Sequence, residues 1–353
     1  MSRTVRVGDS PEAMQDLFEA EGWSDGLPIV PPTRERVDEM LRFTDRAPDE
    51  SLGVMPPIHG IATVEVLAVN SVMAGCKPEY FPLVLTAVEA MLDPAFNLLA
   101  VQATTHPCAP LMIVNGPAAG ELGVNSRYGA YGPGFRANAT IGRAIRLILL
   151  NVGGAVPGVL DRSTQGQSSK YSFCIAENEA ESPWTPLHVE RGFEPWMSTV
   201  TVVGAENPHN INDHVSDRAQ GILATLSGAM NDMGSNNAYL LGGPVLALGP
   251  EHASILAGDG VDKAAIKQHV FENARVPTDL WRLGGMAPPA DFVPDCPAQP
   301  IIGSPDDLLV IVLGGFGRHS SWMPTFGGST RAVTRAVTRS DGTPVRSLGE
   351  LRG

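Results

Sequence analysis

"LMIVNGP", residues 111–117, sets four apolar residues in a row and stops them with a Gly-Pro pair. A short, unbroken apolar run closed by a turn signal reads as a strand buried on both faces. Downstream, "NATIGRAIRLILLNV" (138–152) spaces its apolar residues as one face of a helix. A strand, "NGP" or "GGP", a polar loop and a helix recur near 238–274, a faint internal similarity to 111–150.

Further strand-like runs are "NLLAVQATT" (97–105), "STVTVVGA" (198–205), "PVLALG" (244–249) and "DLLVIVLGG" (307–315). Helical spacing marks "VSDRAQGILATLSGAM" (215–230), "PEHASILAG" (250–258) and "DKAAIKQHVFENA" (262–274). Strands alternating with helices predict an α/β or α+β fold, a mixed sheet with helices on its faces. Residues 1–50 read as an N-terminal helical arm, with helices at 11–21 and 33–42, the second capped by Thr33. The loop between them, "GWSDGLPIVPP", either packs on the main body or brings Asp25 to a cleft rim. Residues 51–353 form the main body, with 153–197, poor in periodicity, where two subdomains would meet.

The chain has 353 residues, 43% of them hydrophobic and 18% charged, as an ordered globular protein does. Its 38 Gly and 30 Pro make up about 19%, against a usual share of roughly 12%. The excess points to many structured loops, the usual seat of sites. A net charge of −13 argues against nucleic acid as a partner. Arg331, Arg335, Arg339, Arg346 and Arg352 are spread along the C-terminal stretch, which suits a solvated or partner-docking segment. The opening residues hold no apolar signal region and no membrane-length apolar run occurs. Four separated cysteines without a C-x-x-C suit reduced thiols and a cytoplasmic setting.

Chemistry is sought first at "NSVMAGCKPEYFP" (70–82). A helix ends at Gly75 and another begins after Pro78, which would put Cys76 at a helix N-terminus, where a thiolate is favoured. Lys77 adds a charge, and Glu79 is a further catalytic candidate. The alternative is a buried thiol filling a helix corner. "HPC" pairs His106 with Cys108, a base beside a second thiol. Histidines follow strand ends at 106, 209, 214, 252 and 319, where ligands of open α/β sheets bind.

"NPHNINDH" (207–214) offers His209, Asp213 and His214 to a divalent metal, or else a helix cap at Asn212 or Asp213. The Gly- and Arg-rich segment 124–146 offers Arg127, Arg136 and Asn138 to an anion, with His319 as a further substrate-binding candidate. In "GQSSKYSFCIAENEAESPW" (166–184), Lys170, Tyr171, Cys174 and Glu177 sit in irregular chain, and Glu177 becomes an acid or base if burial raises its pKa.

"GWSDGLPIVPPT", "NSVMAGCKPEYFP", "SPWTPLHVERGF", "GPEHA" and "GGFGRHSSWMPTFG" together resemble a bacterial family associated with UGSC-type (seleno)proteins. The resemblance spans nearly the whole chain and implies a redox-active or nucleophilic Cys/Sec system that can include a second subunit. Cys76 lies in a matching motif, while no U-G-S-C or C-G-S-C string occurs. The sequence-based expectation is a cysteine-dependent enzyme acting on a small anionic substrate by thiol redox or carbon–heteroatom cleavage, as a homo-oligomer or with a thiol-redox subunit. The alternative is a metal-dependent lyase or hydrolase built on the His/Asp cluster. No cofactor motif is specific in the sequence, which leaves the cofactor unknown, with none or a divalent metal as the options.

Overall fold

The computed structural model describes residues 4–8, 10–284 and 295–352. Its centre is two four-stranded mixed sheets. In the first, Ala109–Asn115 runs parallel to Cys174–Ala176 and antiparallel to Thr199–Ala205, which pairs in turn with Val333–Ala336. In the second, Val245–Leu248 runs parallel to Leu309–Val312 and antiparallel to His319–Met323, which pairs with His209–Asn212.

Alternation along the strands stacks the sheets. Leu111, Ile113 and Val203 from the first pack with Val245, Ile311 and Met323 from the second in one cluster. The intervening residues face outward: Met112, Val114 and Val202 meet the helices Val64–Ala74, Phe81–Leu92 and Arg136–Asn151. Leu246, Val310 and Trp322 meet the helices Ala219–Met230, Pro250–Gly258 and Lys263–Asn273. The layers are therefore helix, sheet, sheet, helix. Each fully buried Leu, Ile or Val contributes about 1.5–3 kcal/mol, so the apolar runs hold these layers together.

The halves share one order: a strand, Gly-Pro, helices, a parallel strand, an antiparallel strand, and then an edge strand given to the other sheet. His209–Asn212 crosses to the second sheet and Val333–Ala336 returns to the first. The second copy of the Gly-Pro signal is Gly249-Pro250, after its strand, and not "GGP" at 242–244, which precedes it. Both glycines are needed for close approach. A Cβ on Gly116 would lie 2.2 Å from the Met197 carbonyl oxygen, and one on Gly249 2.2 Å from that of His319.

Residues 97–105 hold a helix, Leu98–Gln102, where a strand was expected. Leu98, Val101 and Gln102 are its buried positions, an i, i+3, i+4 face that decides for the helix. The helix expected from 215 begins at Ala219, because Asp213 first closes a turn onto the Val215 and Ser216 amides. The segment 153–197 supplies Cys174–Ala176 to the first sheet. In the arm, helices form at Pro11–Ala20 and Arg34–Leu41, and Trp23, Ile29 and Val30 pack on the first core. Asp25 forms a two-pronged ion pair with Arg143, at 2.8 and 2.7 Å.

Candidate active site

A cleft of about 350 Å³ opens where the parallel strands of the second sheet end. Leu313 and Gly314 follow one strand, Ala247 lies near the end of the other, and His319, Ser320 and Ser321 begin the antiparallel neighbour. The glycine-rich loop 129–132 of the first half forms the opposite wall. Asn138 holds that loop and its approach: its Nδ2 donates to the Ala130 carbonyl at 3.4 Å and to the Asn125 carbonyl at 2.9 Å, and its Oδ1 accepts from the Asn125 amide at 2.7 Å.

Two imidazoles meet at the mouth. His214 Nε2 and His319 Nε2 are 3.2 Å apart. His319 Nδ1 lies 2.9 Å from Asn210 Oδ1, an acceptor, so the His319 proton sits on Nδ1 and Nε2 presents a lone pair. His214 must then donate through Nε2. One ring is a donor and the other an acceptor, so the lone pair of His319 faces the N–H of His214.

Hydroxyls line the interior. Tyr131 Oη donates to Met323 Sδ at 3.7 Å and accepts from Ser321 Oγ at 3.1 Å. The Tyr131 ring edge is exposed, but its hydroxyl end is enclosed; burial raises its pKa and keeps it a donor. Behind the wall, buried His252 places Nδ1 2.7 Å from Ser320 Oγ and Nε2 3.0 Å from the Asp213 carbonyl. The carbonyl only accepts, so Nε2 carries the proton and Ser320 donates to Nδ1. Ser320 Oγ in turn accepts from the Gly249 amide at 3.0 Å. His252 thus ties the histidine-bearing turn to the strand.

The expected metal trio does not converge. His209 is paired with Trp322 in the sheet, two residues along a strand from Ile211, which faces the helices. Burial acts against the Asp213 carboxylate, but donors from Ser216, Thr225 and Val215 outweigh it and hold it down at about 2. His214 turns to His319 instead. Among the described residues no group of three or more His, Cys, Asp or Glu is arranged to hold a metal.

Cys76 is not at a free helix N-terminus. Gly75 adopts φ 87° as expected, but the Cys76 amide is spent on the Ser71 carbonyl, closing the preceding helix. The thiol is buried and lies 3.2 Å from the Thr140 carbonyl, and burial pushes it up to about 12 despite Arg136 and Arg143. Lys77 pairs with Glu79 at 3.5 Å on the surface. Arg136 donates twice to the Gly75 carbonyl, and Arg127 pairs with Glu181 at 3.1 Å.

His106 lies at the other end of the first sheet, its Nε2 2.8 Å from Glu206. Burial also pushes Cys108 up to about 12, and raises Cys174 and Glu177. Glu177 braces the Leu187 amide at 2.7 Å and Asn115 at 2.6 Å. Of the strand-end histidines, the structure gathers 214, 252 and 319 and leaves 106 and 209 apart.

Sequence reasoning missed Tyr131, Asn210 and Ser321. Two of the three lie within quoted motifs, but only strand register aims Asn210 and Ser321 to the same side. Among the described residues no helix is long and apolar enough to cross a membrane. Searches against family models, curated proteins and solved structures returned no match.

Proposed function

We propose that this protein is an enzyme, a hydrolase of small polar carbonyl compounds, with His319 as its general base. The observation that carries the reading is the His214–His319 pair with its protons assigned by Asn210. His319 Nε2, released from its exposed contact with His214, would take a proton from water, and the imidazolium so formed would return that proton to the departing group. A carbonyl oxygen entering the cleft would draw the Tyr131 proton away from Met323 Sδ, a weak acceptor, and its developing negative charge would be stabilised there. The volume, about 350 Å³, suits a metabolite-sized substrate.

Cys76 lends a thiol mechanism no comparable support: the sulfur is buried, protonated and bonded to Thr140. The test is His319→Gln, which keeps the size and polarity of this exposed position. Turnover should fall by about 10²–10⁴, the usual worth of a general base, with the thermal midpoint unchanged. Full activity in that variant would end the proposal.

A further inference from the structure

A larger cleft, about 490 Å³, lies between the helix Arg136–Asn151 and the loop through 157–171. Its floor carries a charge network. Asp161 receives Lys170 Nζ at 2.6 Å and faces Arg146 at 3.5 Å, and Lys170 also donates to Ser163 at 2.7 Å. Asp25, at the rim, is neutralised by Arg143.

The balance is uneven. Arg143, Arg146 and Lys170 face two carboxylates, Asp25 and Asp161. Arg146 is the cation left short: its side chain is 11% exposed, and among the described residues its hydrogen bond is the one from Nη2 to the Ala155 carbonyl at 3.0 Å. A largely enclosed guanidinium that is only partly paired by protein groups favours an anion beside it, and burial lowers its pKa despite Asp161 and Asp25. A monoanion in the cleft would complete the pairing, and a guanidinium fork matches a carboxylate.

We propose that this cleft is a binding site for a small carboxylate, whose charge rests on Arg146 and whose apolar body lies against Leu150, Pro157 and Tyr171. It is separate from the histidine cleft and does not depend on the function assigned there. A monoanion is specified because one positive charge is left over. A carboxylate is specified because Leu150, Pro157 and Tyr171 give the cleft an apolar side that suits an organic body and leaves a fully hydrated inorganic anion without partners.

The test is isothermal titration calorimetry on the full chain with benzoate, benzamide and inorganic phosphate. Benzoate should bind with one-to-one stoichiometry, and benzamide, its uncharged counterpart, and phosphate each at least tenfold more weakly. Arg146→Gln should weaken benzoate at least tenfold. Ser168→Trp, on the exposed lip and outside the charge network, should do the same by filling the cleft, and it decides the matter if Arg146→Gln does not fold. No benzoate binding at millimolar concentration, equal binding of benzamide or phosphate, or full benzoate affinity in Ser168→Trp would overturn the proposal.

Discussion

His319 Nδ1 lies 2.9 Å from Asn210 Oδ1 on the neighbouring strand, and that one contact assigns both protons of the histidine pair. A carboxamide oxygen only accepts, so the ring is fixed as the Nδ1–H tautomer. Nitrogen-15 NMR should therefore report Nδ1–H and an unprotonated Nε2 at His319 at neutral-to-alkaline pH. Asn210→Ala should give a tautomer mixture while costing about 1 kcal/mol or less, since the bond is exposed.

The Cys76 thiol, facing Thr140, predicts chemical quiet. Iodoacetamide at neutral pH should modify Cys76, Cys108 and Cys174 only slowly, with half-buried Cys296 the first to react. Thiolate, the reacting form, is scarce when burial raises the pKa.

The same burial carries a pH signature. Cys76 and Cys108 titrate at about 12 in the fold, against 9.0 unperturbed. Below pH 9 both states hold the proton and the thiols leave stability independent of pH. Between 9 and 12 only the unfolded chain loses it, so stability should fall with rising pH, by about 1.4 kcal/mol per unit for each such thiol. Urea midpoints at pH 8 and pH 10 read this, and Cys76→Ala should flatten the slope.

Asp213 makes the opposite prediction in acid. Its carboxyl sits at about 2 in the fold against 3.8 unperturbed. Its contribution is complete above 3.8 and is lost as pH falls towards 2, when the Ser216 and Thr225 donors lose their charged acceptor. Asp213→Asn should be less stable at neutral pH and show a shallower loss across that acid window.

Gly249 has φ −63°, an ordinary helix-entry value, so only contact forbids a side chain there. Gly249→Ala would press a methyl against the His319 carbonyl oxygen at 2.2 Å, and should cost about 1–3 kcal/mol or more in chemical denaturation. Gly120→Ala is the control: beyond its own helix backbone no atom of the described residues lies within 4 Å, and replacing glycine there should be neutral or stabilising by up to about 1 kcal/mol.

The layers were legible because buried strands announce themselves. "LMIV", "VLAL" and "LVIV" are apolar throughout, and each is covered on both sides. The exchanged edge strands were not, since "HNIN" has a single apolar residue, Ile211, among exposed polar ones, so it reads as a ligand cluster. His319 was found from its place after a strand, but its relation to His214 and Asn210 depends on pairing between residues about a hundred positions apart. Cys76 misled for a related reason. The Gly75 turn was read correctly, but whether the next amide is free or spent on Ser71 is settled only by three-dimensional closure.

The most direct test of the central claim works with an unidentified substrate. Wild type, His319→Gln and Cys76→Ser would be incubated side by side with a small-metabolite extract, and consumed and formed masses followed by mass spectrometry. The account predicts a substrate–product pair differing by the elements of water and cleavage, converted by wild type and Cys76→Ser and at least a hundredfold more slowly by His319→Gln. Conversion that survives in His319→Gln and disappears in Cys76→Ser would contradict it.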